Sequence, residues 1–167
     1  MASTLRNPRL LFGFVAITGL AMAGTGVLMT HLFDLAACPL CILQRMAYLL
    51  LALFAALGFA FAGWRSARRG AALLMVATAA SGAFVAGYQV WIQRVEPSIT
   101  CGGKQPWWER FVEWAGHQLP TLFAADGLCA DPAWSFLSLS IADWSALAFL
   151  GLLLLSLIAL FRRDTWR

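Results

Sequence analysis

The chain has 167 residues, of which 61% are apolar and 12% charged, with a formal net charge of +4. A soluble domain of this size needs more charge to cover its surface, so the lipid bilayer is the expected solvent. The basic excess follows from where the charges lie around the apolar segments and calls for no nucleic-acid partner.

Four stretches contain no Lys, Arg, Asp or Glu: Leu10 to Phe33, Met46 to Trp64, Gly70 to Gln93 and Trp144 to Phe161. Each reaches roughly the 20 residues that a helix needs to cross a hydrocarbon core. Core helices of a soluble protein are the alternative, but four such runs leave almost no soluble remainder. The expected spans cover about 10–32, 42–64, 70–92 and 144–162, with outer loops at about 33–41 and 93–143 in a single integral membrane domain, 1–167. Short connections favour antiparallel neighbours. The expected fold is therefore an all-α, four-transmembrane-helix up-down bundle with a short interfacial helix in the second outer loop.

Eight of the twelve basic residues lie on one side: Arg6 and Arg9 before span one, Arg65, Arg68 and Arg69 between spans two and three, and Arg162, Arg163 and Arg167 after span four. The other side holds Arg45, Arg94, Lys104 and Arg110 with seven of the eight acids. The positive-inside rule then puts both termini in the cytoplasm. At span one, Ala21-Met22-Ala23 after Arg6 and Arg9 also fits a secretory cleavage site. The apolar run continues to Met29, which favours a span, and cleavage would leave every cysteine on the outer side.

Span two opens with Cys38-Pro39-Leu40-Cys41. Pro39 suits a first helical turn, where no amide donor is missed. The unpaired amides and positive dipole end of that helix favour a thiolate at Cys41. Arg45 lies one turn deeper on the same face. Two readings of it compete: an interfacial anchor, and a cation for an anionic or carbonyl oxygen, such as a quinone's, beside Cys41. Small residues recur in the spans, among them Ala16, Gly19, Ala23, Gly24, Gly82, Ala83, Ala86 and Gly87, and allow close helix packing.

The long outer loop carries Cys101 and Cys129, so all four cysteines share the outer side, where disulfides persist. Structural staples and a zinc site are the competing uses of these sulfurs, the latter lacking the usual second close pair. Between Trp107 and Leu119, helical spacing gathers Trp107, Trp108, Phe111, Val112, Trp114, Ala115 and Leu119 on one arc, with Glu109, Arg110, Glu113 and His117 opposite. That segment reads as a short helix lying in the headgroup region or packed on the bundle's outer end. His31 and His117 read as a satisfied interfacial side chain and a solvated one.

The run Cys38-Pro39-Leu40-Cys41-Ile42-Leu43-Gln44-Arg45 resembles the signature of the DsbB family of bacterial disulfide bond formation proteins. The stretch Cys129-Ala130-Asp131-Pro132-Ala133-Trp134-Ser135-Phe136-Leu137, leading into span four, is similar to that family too. The resemblance covers the whole chain and implies a quinone-dependent thiol:disulfide oxidoreductase of the Gram-negative inner membrane, with its cysteines periplasmic. It implies that Cys101 and Cys129 form the disulfide that oxidises a periplasmic DsbA-type partner, with Cys101 forming the mixed disulfide. Cys129 then attacks Cys38, and Cys41 is left as the thiolate facing ubiquinone, or menaquinone, with Arg45 beside the ring. No resident metal is implied. Where the family often carries a basic or imidazole side chain at the outer end of span three, this chain has Tyr88, Gln89, Trp91 and Gln93. Two other functions compete: a vitamin K epoxide reductase-like enzyme, whose reactive pair sits in the last bundle helix, and a non-catalytic membrane subunit stapled by disulfides.

Overall fold

A computed structural model of the chain describes residues 8–95, 106–130 and 134–161. Cys101, the neighbouring Gly102 and Gly103, Asp131 and the basic residues Arg6, Lys104, Arg162, Arg163 and Arg167 lie outside the described residues.

The fold is all-α in its framework. Helices α1 (Pro8–Leu32), α2 (Pro39–Ala60) and α3 (Arg65–Val95) are followed by α4 (Trp107–Gln118) and the single turn α5 (Pro120–Phe123). A small hairpin of β1 (Ser135–Phe136) and β2 (Leu139–Ser140) leads into α6 (Ile141–Phe161). Helices α1, α2, α3 and α6 are each long and apolar enough to cross a membrane.

These segments are helical because they are rich in Leu and Ala, and in hydrocarbon every backbone group must be satisfied within the segment. The rare hydroxyls obey the same constraint. Thr25 donates to the carbonyl of Ala21, Ser81 to that of Ala77 and Ser156 to that of Leu152. Large apolar side chains such as Phe14, Ile17, Leu73, Phe84, Leu150 and Leu154 point outward. In water that surface would be a liability; against lipid it is the expected exterior.

The boundaries have local causes. Pro39 occupies the first turn of α2, and Cys38 caps it in extended geometry, its sulfur accepting from the Cys41 amide at 3.3 Å. At the other end the Phe61 amide bonds the Leu57 carbonyl, and α3 begins as the Arg68 amide bonds the Trp64 carbonyl.

Helix α2 packs between α1 and α3, α3 packs on α6, and α1 meets α6 more sparsely than either meets its other neighbour. Close approach is bought where side chains are absent. A Cβ on Gly82 would overlap the Phe149 ring, and one on Gly58 would overlap Phe12. Phe149, seated on Gly82, stacks on Tyr48 with ring centroids 4.0 Å apart, and the Tyr48 hydroxyl pairs with the Ser145 hydroxyl at 3.0 Å. Gly24 and Gly87, by contrast, face open space, so part of the small-residue pattern marks the outer surface of the bundle.

At the outer end, α4 lies against α2 with Glu109, Val112 and Ala115 buried. Trp107, Phe111, Trp114 and Leu119 are exposed, and Trp108 is half buried. The helical arc expected from spacing is therefore split, with one edge packed on the bundle and the aromatic edge turned outward. Glu109, expected on the polar side, sits instead on the buried edge, because the helix docks through the 109–112–115 stripe.

Candidate functional site

The cap of α2 brings its two sulfurs together. Cys38 Sγ lies 2.9 Å from Cys41 Sγ and donates to it. Cys129 joins them: it is 1% exposed and shares a buried cluster with Cys38, Leu40 and Ile92, flanked by Trp108. All three are thiols in this structure. The Cys38 thiol is pushed well above the ordinary thiol range, first by its hydrogen bond with the Cys129 sulfur, then by Cys41 and by burial.

Cys129 is delivered by backbone contacts. The Gly127 amide bonds the Ala37 carbonyl at 3.0 Å, and a Cβ on Gly127 would overlap the Ala36 carbonyl oxygen. Gln93 Nε2 donates to the Cys129 carbonyl at 3.5 Å. Gln93 is itself held by the Ser140 hydroxyl at 2.8 Å, and Ser140 binds Asp143, which pairs with Arg94 at 2.8 Å. The outer ends of α3 and α6 thus fix the segment that carries the third sulfur.

Arg45 is only 6% exposed and does not snorkel. Its guanidinium donates to the Leu122 carbonyl through Nη1 and to the Thr30 hydroxyl through Nη2 at 3.2 Å, which ties α2 to α1 and α5. Gly26 makes room for it, since a Cβ there would meet Nε at 3.4 Å. His31 accompanies this closure, its Nε2 lying 3.3 Å from the Thr121 carbonyl, whereas His117 is exposed.

Beside the sulfurs is a cavity of about 470 Å³, walled on one side by α1 and on the other by the hairpin and α6. Met22, Met29, Leu128, Trp134 and Trp144 line its apolar part. Cys41, Gln44, Arg45 and Gln89 gather at its polar end. Among the residues expected at the site, Cys38, Cys41, Arg45 and Cys129 converge here, and Cys101 lies outside the described residues.

Two residues were missed from the sequence as members of this cluster. Gln89 is 3% exposed; its Nε2 lies 3.3 Å from Cys38 Sγ and 3.2 Å from Cys41 Sγ, while its Oε1 accepts from Gln44 Nε2 at 2.6 Å. A signal was present, because an amide inside an apolar span is costly unless something binds it. What it binds is set by helix packing.

Four bilayer-length helices capped by three clustered thiols beside a cavity define a polytopic membrane protein whose distinctive groups are its cysteines. Over residues 8–159 the chain matches the family model described as Disulfide bond formation protein DsbB. It is 34% identical over 161 residues to the Disulfide bond formation protein B of Albidiferax ferrireducens, covering 96% of this chain and 92% of that one. It is 39% identical over 136 residues to that of Nitrosospira multiformis, covering 80% of each. With that of Verminephrobacter eiseniae it shares 36% identity over 160 residues, 92% of this chain and 88% of the other. The chain belongs to the DsbB family of disulfide bond formation proteins.

Proposed function

We propose that the chain is a protein-disulfide oxidoreductase of the bacterial inner membrane that reoxidises a periplasmic DsbA-type thiol oxidase and passes the two electrons to membrane quinone. In this reading both termini are cytoplasmic, the cysteines are periplasmic, and residues 1–167 form one membrane-embedded domain with the aromatic edge of α4 in the headgroups. The observation that carries it is the convergence of Cys38, Cys41 and Cys129 beside a cavity that also holds Arg45.

Disulfide exchange needs a thiolate in line with a disulfide, so sulfurs must be able to meet. A thiolate of the reduced partner attacks Cys101 of a Cys101–Cys129 disulfide and expels Cys129 as a thiolate. Cys129 then attacks Cys38 of the Cys38–Cys41 disulfide, and Cys41 leaves carrying the electron pair. The second partner thiol attacks the mixed disulfide, which releases Cys101 and the oxidised partner. The freed Cys101 thiolate then attacks Cys129 of the Cys38–Cys129 disulfide, which re-forms Cys101–Cys129 and expels Cys38, ready to pair again with Cys41. The buried contact between Cys129 and Cys38 favours the middle step, and the helix N-terminus stabilises the departing Cys41 sulfur.

The cavity suits a quinone. Its size lies within the roughly 300–1,000 Å³ common for small-molecule sites, and its walls are apolar and aromatic with polar groups at one end. Met22, Met29, Trp134 and Trp144 would hold the ring and the start of its tail, with Arg45 at a carbonyl oxygen. A bound ubiquinone, or menaquinone, supplies the two-electron acceptor that restores the Cys38–Cys41 disulfide. Arg45 holds a fixed positive charge at the polar end, where negative charge on an acceptor oxygen would be favoured.

The test is quinone reduction by the full chain in lipid nanodiscs, driven by a reduced DsbA-type protein. Each of Cys38→Ser, Cys41→Ser, Cys101→Ser and Cys129→Ser is expected to abolish turnover. Full activity in Cys101→Ser or Cys129→Ser overturns the relay, and failure of the intact protein to reduce either quinone overturns the assignment of the acceptor.

A further inference from the structure

A glutamine side chain has two amide hydrogens to give and one oxygen to accept with. Gln89 uses all of these in one corner. Its oxygen accepts from Gln44 at 2.6 Å, and its nitrogen faces two sulfurs, Cys38 at 3.3 Å and Cys41 at 3.2 Å. The alternative approach, oxygen to Cys41, is longer at 3.8 Å. Both glutamines are buried, and they come from different helices, Gln44 from α2 and Gln89 from α3.

The geometry is directional. With its oxygen engaged by Gln44, the Gln89 amide can turn only its nitrogen toward the sulfurs. Two donors then meet two acceptors whose own separation is 2.9 Å. Sulfur is a weak acceptor as a thiol or in a disulfide and a strong one as a thiolate, so these hydrogen bonds gain most when the pair is reduced and one sulfur is ionised. In a buried corner with little water, that difference is larger than it would be at a surface.

We propose that Gln89 is a positioning residue for the sulfur pair of α2, holding Cys38 and Cys41 at reacting distance and favouring their reduced form, and that Gln44 acts through it by fixing the orientation of its amide. The proposal rests on the reading of Cys38 and Cys41 as a redox pair. It needs neither a quinone nor a protein partner, so it stands or falls separately from those assignments.

The measurement is the thiol–disulfide equilibrium of Cys38 and Cys41 in glutathione buffers, read by alkylation and mass spectrometry on the full chain in nanodiscs. Cys101→Ser and Cys129→Ser are present in every arm, so that a single pair is followed. Gln89→Met keeps the shape and removes the donors; it is expected to move the equilibrium roughly tenfold toward the disulfide, about 30 mV more reducing. Gln44→Met is expected to shift it in the same direction by about threefold, and to add nothing once residue 89 is Met. Thermal melting separates this from loss of fold, and Gln44→Met still reports on the pair should Gln89→Met not fold. An equilibrium within about twofold of the parent in a folded Gln89→Met protein overturns the proposal. So does a Gln44→Met shift that persists undiminished in the double variant. Failure of the pair to equilibrate with glutathione in the parent overturns the redox reading itself.

Discussion

Arg45 is bound to the backbone carbonyl of Leu122, 77 residues further along the chain. A cation one helical turn below Cys41 is thereby locked to α5, the segment that follows the amphipathic helix α4. The same guanidinium reaches Thr30 on α1. One side chain therefore closes the outer end of the bundle and presents positive charge to the cavity.

Arg45→Leu is expected to lower quinone-dependent turnover about 100-fold, in line with the loss of one fixed electrostatic group at a reacting oxygen. Arg45→Lys keeps the charge but loses the planar fork that spans Leu122 and Thr30, and an intermediate loss of about tenfold is expected. Steady-state kinetics against quinone concentration checks both. Wild-type turnover in Arg45→Leu would remove the residue from the reaction.

Gly127→Ala places a methyl group on the Ala36 carbonyl oxygen and should lift the Cys129 segment from its dock. In a Cys41→Ser background, attack of Cys38 on Cys129 of the Cys101–Cys129 disulfide, which expels Cys101 and traps Cys38–Cys129, is expected to slow roughly 10- to 100-fold, the cost of a misplacement of about 1 Å. Helix content by circular dichroism should not change.

Cys38 carries a sign that a pH series reads. Its folded thiol is held well above the ordinary value, so above about pH 8.5 the unfolded chain releases a proton that the folded protein retains. Stability from this group is fully present below that pH and falls as pH rises beyond it. Melting of the reduced protein in detergent from about pH 9 upward is expected to show this decline, and Cys38→Ser should flatten it.

Gly82→Ala forces a methyl into the Phe149 ring and is expected to cost about 1–3 kcal/mol. Phe149→Leu in the same chain should return part of that loss, because the two changes meet at one contact. Chemical denaturation of the two single variants and the double variant checks the coupling. Simple addition of the two costs would show that Gly82 and Phe149 do not share the strain.

Charge-free runs were enough to reveal four helices, because a bilayer penalises charge over a fixed length and the penalty is written residue by residue. Pro39 marked the start of α2 for an equally local reason. Arg45 was legible as a residue with a task, since a buried cation needs partners, but those partners are a carbonyl on α5 and a hydroxyl on α1 that no spacing rule connects. Gln89 lies 45 residues from Gln44, and their bond exists only because α2 and α3 are antiparallel neighbours. The rotation of α4 was hidden too. Its sequence shows which residues are apolar, while shape alone decides that Val112 and Ala115 pack inward and the larger aromatics do not fit.

The amides that grip the sulfurs have one more consequence. Glutamine neither takes up nor gives away a proton across the range a bacterium meets, whereas an imidazole or carboxylate in the same spot would change its character as the medium soured. With Gln89 and Gln44 in those places, the donors are the same in acid surroundings as in neutral ones, and only the sulfurs themselves can change the grip.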